Sequence, residues 1–216
     1  MLFNQFVKMM TRPYFAVFWL LLVGVSYFYF DKPIALYMAH LQNTGMTNFF
    51  EAVTFFGISW PYLFVIAALL VVSFIFKKKQ LFNRFIFIFT AIISAGIICD
   101  ILKIILGRAR PDELFQHNMY GFYFLKFNHP MLSFPSGHTM TATAVAIALS
   151  YCLPRYFVLW FSMVLLVGLS RIVLTAHYLS DVLMGLYLST IIVVVLFKMM
   201  ESIMPDFRML KDKSYA

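Results

Sequence analysis

The stretch FIFIFTAIISAGIICDILKIIL, residues 85–106, carries only two charges, Asp100 and Lys103, both near its end. A run this long and this apolar reads as a helix crossing a bilayer. Five more apolar blocks surround it, at 14–30, 58–76, 139–153, 156–174 and 181–200. The block at 139–153 is short, but Thr139 and Thr141 lengthen it if they face protein rather than lipid. The predicted fold is therefore all-α, a polytopic bundle of six transmembrane helices forming one membrane-embedded domain over 1–216. Composition agrees, with 62% hydrophobic residues, 12% charged residues and a mean hydropathy of +0.86. A soluble domain of this length needs more charge to cover its surface.

The first block follows Lys8 and Arg12, as a secretory signal would. Its apolar core is longer than a signal segment, however, and its exit through Val25 to Phe30 lacks a small-x-small cleavage pattern. It reads as an uncleaved first helix. Between blocks one and two, Ile34, Tyr37, Met38 and Leu41 form one apolar set at helical spacing, and Met46, Phe49, Phe50 and Val53 form a second. Asn43 and Gly45 separate them. This pattern suits either one or two short amphipathic helices lying in the interface or a loop packed on the bundle. Cys99 and Cys152 both fall in apolar blocks and read as packing residues. No repeat of solenoid length is present.

The formal charge is +8. With no soluble basic region to carry it, membrane orientation and an anionic substrate explain it better than nucleic acid. On a six-span layout, eleven Lys and Arg lie on the side of the termini: Lys8, Arg12, Lys77, Lys78, Lys79, Arg84, Arg155, Lys198, Arg208, Lys211 and Lys213. Six lie opposite: Lys32, Lys103, Arg108, Arg110, Lys126 and Arg171. The positive-inside tendency then places the termini in the cytoplasm and the other face outside.

Three polar stretches fall at helix ends on that outer face. They are Lys103-Ile-Ile-Leu-Gly-Arg-Ala-Arg110-Pro111, Pro135-Ser136-Gly137-His138, and Ser170-Arg171 followed by His177 and Asp181. Charges at membrane depth are costly, so a cluster of them marks a functional site. Lys103, Arg110 and Arg171 supply three cations with no equal number of local carboxylates, which suits an anion; guanidinium forks match phosphate oxygens. Ser136 and Gly137 precede a helix start, where backbone N–H groups and the helix dipole favour an anion. His138 stands in the first turn of that helix. His177 and Asp181 share a helix face if the last helix begins between them. A carboxylate on one imidazole nitrogen fixes the tautomer and leaves the other free to attack.

Blander readings exist for single members. Arg108 reads equally as a cation snorkelling to head groups, Lys103 less so. Asp100 and Lys103 suit a helical ion pair, and Arg171 with Asp181 could pair structurally. His40, His117 and His129 lack phosphate-binding neighbours and read as structural. Nine scattered acidic residues and no close histidine pair argue against a metal site.

Together the three stretches resemble the type 2 phosphatidic acid phosphatase superfamily of membrane lipid phosphatases, whose pattern is K-x6-RP, PSGH and SR-x5-H-x3-D. All eleven fixed positions match, over a motif-bearing region of 100–185. The resemblance implies that His177 is a nucleophile forming a phosphohistidine, oriented by Asp181, with His138 protonating the leaving oxygen. Lys103, Arg110, Ser136, Gly137 and Arg171 would hold the phosphoryl oxygens, without metal or cofactor. The compactness of the chain suggests a multi-pass protein of a bacterial inner membrane, and the Lys and Arg count puts its active site on the periplasmic face. The substrate would be a phosphomonoester or diphosphate of an envelope lipid: undecaprenyl diphosphate, phosphatidylglycerol phosphate, phosphatidic acid or a lipid A phosphate. A lipid phosphotransferase of the same superfamily is the alternative, and a non-catalytic protein binding anionic lipid is a third reading. Oligomeric state is left open. The loop 112–132, with Phe115, Tyr120, Phe122, Tyr123, Phe124 and Phe127, reads as an interfacial lid or, better, as an aromatic belt.

Overall fold

The computed structural model describes residues 2–41 and 46–203. Among these the chain is helical throughout its regular structure. A short amphipathic α1 (Leu2–Met10) leads into α2 (Pro13–Val25), which continues through a π-helical turn, Ser26–Phe30, into α3 (Asp31–His40). Next come α4 (Met46–Thr54) and α5 (Ser59–Ile75), joined by a 3₁₀ turn at Phe55–Gly57, then α6 (Lys79–Leu106). After a short α7 (Pro111–His117), the chain enters α8 (Gly137–Cys152), α9 (Phe157–Val173) and α10 (Leu179–Ile203).

A helix stands at each of the six apolar blocks, but their lengths are unequal. Pro13–His40, Lys79–Leu106, Pro154–Val173 and Leu179–Ile203 are long and apolar enough to cross a membrane. A fifth crossing arises if Thr47–Gly57 and Ser59–Ile75, bent by 41°, form one span. With 16 residues, α8 falls short of that length. The protein is a multi-pass membrane protein, and by length and composition the described helices give four crossings, or five with the bent pair, where the sequence reading has six.

The centre of the bundle is α8. It is built from small residues, with Thr139, Thr141, Thr143, Ala144, Ala146, Ala148 and Ser150 all buried. Small side chains let neighbouring backbones approach closely inside a membrane, and α8 packs against α6, α9 and α10. Thr139 and Thr141 face protein, the condition set for this helix to reach its full length. One cluster joins Phe87, Ala91, Ile92 and Ala95 of α6 to Ala144 and Ile147 of α8 and Val193 and Phe197 of α10. Phe3 of α1 closes it at the end that also holds Met200. The periphery is apolar as well: Phe28, Phe64 and Phe74 are all exposed on α2–α3 and α5. Such surfaces need lipid around them.

The expectation for residues 33–53 changes for its first apolar set and not for its second. Ile34, Tyr37 and Met38 do not start a separate interfacial helix; they extend the first long helix, which runs unbroken from Pro13 to His40. The second set lies on α4, where Phe50 and Val53 are buried and the helix packs on α9. Asn43 and Gly45 lie outside the described residues. Cys99 is a buried free thiol and Cys152 is partly buried, so both pack as anticipated.

Candidate active site

The C-terminal ends of α6 and α9 and the N-terminal ends of α8 and α10 meet at one end of the bundle. A cavity of about 740 Å³ opens there, and its walls include Lys103, Arg110, His138, Arg171 and His177. The remaining predicted residues stand directly behind these five.

Local structure explains why each group points inward. α6 ends at Gly107, whose left-handed backbone (φ 55°) lets its N–H return to the Lys103 carbonyl. Lys103 reaches the start of α8: a Cβ on Gly137 would stand 3.3 Å from its Nζ. α8 begins at Ser136, fully buried, whose N–H donates to the Asp181 carbonyl at 3.1 Å. That bond joins the second motif to the third. Arg171 closes α9 and donates to Thr54 Oγ1 at 2.6 Å, while its Nε has no partner. Arg110 donates from Nε to the His129 carbonyl at 3.1 Å and from its two terminal nitrogens to Ala176 and Leu132 carbonyls. Three of its five N–H bonds are so used, and two are left.

A tight turn after α9 sets His177. The N–H groups of Ala176 and His177 both return to the Arg171 carbonyl, and Thr175 is left-handed at φ 47°. Asp181 Oδ2 accepts the Tyr178 N–H at 2.9 Å, in the manner of a capping box at the start of α10. The same oxygen accepts the Ser133 hydroxyl at 2.7 Å and lies 3.5 Å from His177 Nδ1. A contact of 3.5 Å is at the outer limit for a hydrogen bond, and catalytic contacts of this type shorten in the substrate complex. With Nδ1 turned to Asp181, Nε2 is the nitrogen available to the cavity. Burial, followed by the charges of Arg110, Arg171 and Lys103, holds the His177 imidazole well below its ordinary pKa. It is therefore neutral at pH 7, with a lone pair facing a cationic pocket.

Several sequence expectations need correcting. Arg108 does not snorkel. It is fully buried and bridges Asp181 and Asp31, its Nη2 lying 2.6 Å from Asp31 Oδ2. Asp181 accordingly pairs with Arg108 and not with Arg171. The cavity wall is also less one-sided than the cations suggested, for Asp100, Asp112 and Glu113 line it too. Among the described residues none of these carboxylates lies within ion-pair distance of Lys103, Arg110 or Arg171, so the cations keep their charge for a ligand. His129 is no remote structural residue, since it lines the cavity and its own pKa is lowered, chiefly by Arg110. The 112–132 loop divides. Tyr120 and Phe122 turn inward around Arg108, while Phe124 and Phe127 are exposed. Among the described residues no group of three or more His, Cys, Asp or Glu is arranged to hold a metal ion.

Thr54, Gly57 and Ser133 also serve the site, though none belongs to a charged motif that would mark it in the sequence. Gly57 supports His138 directly: an added Cβ would meet His138 Cβ at 2.7 Å and its Cδ2 at 2.9 Å. Gly57→Ala is therefore expected to push the imidazole aside. A displacement of ~1 Å costs on the order of 100-fold in rate, and overpacking costs about 1–3 kcal/mol. Turnover and thermal stability of the purified variant check this; wild-type turnover would show that Gly57 does not set the His138 position.

The sequence model of the PAP2 superfamily matches residues 84–205. The chain belongs to this superfamily. Among curated relatives of this PAP2 protein, the lipid A 1-phosphatase of Rhizobium etli is 35% identical over 112 residues, 51% of this chain and 48% of that protein. The lipid A 1-phosphatase of Rhizobium johnstonii is 34% identical over 112 residues, covering 51% and 46%. The chain thus spans about half the length of the curated relatives it matches. A yeast protein, the inositol phosphorylceramide synthase catalytic subunit AUR1 of Saccharomyces cerevisiae, is 36% identical over 86 residues, 40% of this chain and 21% of its own. Solved structures share the fold. Aquifex aeolicus LpxE superposes with a TM-score of 0.59 at 24% identity, over 79% of this chain and 96% of that one. The PAP2-type phosphatidylglycerolphosphate phosphatase of Bacillus subtilis gives 0.57 at 20% identity, over 87% and 94%.

Proposed function

We propose that this PAP2 protein is a membrane lipid phosphatase that hydrolyses a phosphate ester or diphosphate of an envelope lipid through a phosphohistidine on His177. The observation that carries this reading is the buried His177, backed by Asp181 and opening on a cavity lined by Lys103, Arg110, Arg171 and His138. Names of the rhizobial relatives favour a lipid phosphate as the substrate class.

In the proposed reaction the substrate phosphoryl oxygens lie against Lys103, Arg110, Arg171 and the backbone N–H of Gly137 at the start of α8; the Ser136 N–H, expected from the sequence to join them, is already donated to the Asp181 carbonyl and instead holds the second motif against the third. Such a cradle stabilises the charge spread over the equatorial oxygens in the transition state. The His177 Nε2 lone pair attacks phosphorus as the bond to the lipid oxygen breaks. His138 donates a proton to that oxygen, and the lipid alcohol (or the shortened phosphate) leaves. A water then attacks the phosphohistidine, His138 takes its proton, and cleavage of the P–N bond returns His177 neutral with release of inorganic phosphate. Asp181 stabilises the charge that develops on the His177 ring. No step calls for a metal ion.

The charge count favours an outward-facing site with cytoplasmic termini, and so a substrate in the outer leaflet of an inner membrane. The yeast relative favours a second reading, in which a lipid hydroxyl replaces water as phosphoryl acceptor.

A panel of lipid monophosphates and diphosphates, presented to the purified protein in detergent with and without excess chelator, tests these readings. Inorganic phosphate release at equal rates in both conditions is the expected result. Loss of activity restored by a divalent ion overturns the metal-free reaction, and transfer to an added lipid alcohol without phosphate release favours the second reading.

A further inference from the structure

Asp31 lies outside residues 84–205 and outside all three motifs, yet its carboxylate is fully buried among groups belonging to the site. One oxygen accepts the Ser180 backbone N–H at 3.0 Å and the Ser26 hydroxyl at 3.2 Å. The other accepts the Ser180 hydroxyl and Arg108 Nη2 at 2.6 Å. Through Ser180, Asp31 caps the first turn of α10, the helix that carries Asp181. Through Arg108 it reaches Asp181 itself, because the other terminal nitrogen, Nη1, contacts Asp181 Oδ1. That nitrogen also donates to Ser180 Oγ at 2.7 Å.

The surroundings leave Arg108 no freedom. Rings of Tyr27, Tyr120, Phe122, Phe134 and Tyr178 surround its guanidinium with centroids 4.5–5.8 Å away. A planar fork held this way fixes the spacing of the two carboxylates it joins. One cation shared by two carboxylates leaves a net negative charge, so Asp181 is not fully neutralised and can still polarise His177. The π-helical turn at Ser26–Phe30 ends at Asp31, whose N–H returns to the Ser26 carbonyl. One inserted residue rotates the following helix face by roughly 100°. Asp31 faces inward there while Phe28, Tyr29 and Phe30 remain on the outside.

We infer that Asp31 is a positioning residue of the active site, acting through Arg108 and Ser180 to fix Asp181 and thereby the orientation and basicity of His177. This rests on the reading of His177 as the nucleophile. Asp31→Asn throws the whole Arg108 charge onto Asp181 and weakens its pull on the His177 ring. The expected result is a kcat lowered about 10- to 100-fold, the scale of a catalytic group displaced by ~1 Å. KM and inhibition by inorganic phosphate stay within about twofold, because Lys103, Arg110 and Arg171 do not touch Asp31.

The full-length protein in detergent provides the test. Asp31→Asn, Arg108→Gln and the double variant are compared by kcat and KM. Acting through one network, the double variant loses no more than the worse single variant. Losses that multiply, or an unchanged kcat in Asp31→Asn, overturn the inference. If the charge variants fail to fold, Ser180→Ala removes the shared hydroxyl without stranding a charge and is expected to lower kcat in the same way. A turnover-free measurement separates the positioning role of Asp31 from the phosphatase activity. In ¹⁵N-histidine spectra of ligand-free protein, His177 Nδ1 is expected to shift in Asp31→Asn and Ser180→Ala while the His138 signals hold still. An unmoved His177 overturns the positioning role even in active protein. A wild-type protein inert toward every lipid phosphate sinks the phosphatase reading, and the spectra still decide the network.

Discussion

Replacing His177 with alanine is expected to abolish phosphate release while the protein stays folded. Removing the nucleophile of a covalent mechanism costs on the order of 10⁴-fold or more, because the remaining groups cannot supply another route through the same intermediate. The fold should survive: among the described residues the polar partners of the His177 ring, Asp181 and Ser133, stand no closer than 3.5 Å, and its backbone bond to Arg171 is unaffected by the change. Wild-type protein given ³²P-labelled substrate and quenched in alkaline detergent should carry label that survives base and is lost in acid, and the alanine variant none. Persistent turnover in His177→Ala would remove it from the nucleophile role.

His138→Ala should show a different dependence on the leaving group. A general acid contributes roughly 10²–10⁴-fold, and its contribution shrinks as the departing oxygen becomes a weaker base. The variant is therefore expected to lose at least about 100-fold against an alkyl lipid phosphate and much less against an aryl phosphate such as p-nitrophenyl phosphate. His177→Ala should lose both activities alike. Equal losses for the two substrates in His138→Ala would mean that the ring positions the phosphate and does not protonate the leaving group.

These roles rest on residues that the sequence marks unevenly. The motif residues were legible because each lies at a helix end, where an ionisable group in an apolar context stands out: Lys103 closes α6, Arg171 closes α9 and Asp181 opens α10. The helices were legible as long apolar blocks, with α8 the shortest and least apolar of them. Its small residues lower its hydropathy and signal burial among helices, and length alone could not separate those two meanings. Arg108 was open to two readings because a sequence does not reveal the depth of a loop. Only the fold brings Asp31, 77 positions earlier, against it. His129 and Gly57 were hidden for a related reason, since their importance comes from contacts with residues distant in the chain. Asp31 did carry a signal, a carboxylate at the end of an aromatic stretch. The unusual helical turn that directs it inward has no clear mark in the sequence.

The length of α6 has a consequence for how a lipid meets the protein. From Lys79, beside Lys77 and Lys78, to Lys103 there are 24 helical steps. At ~1.5 Å each they separate two cationic levels by about 36 Å. A hydrocarbon core is about 30 Å thick, and about 40–45 Å with head groups included. The helix thus acts as a ruler laid across the bilayer: with one basic end among the head groups of one leaflet, the other stands level with those of the opposite leaflet. On the proposed function, a phosphorylated lipid would reach Lys103 by diffusing sideways at its resting depth, keeping its chains in the membrane throughout.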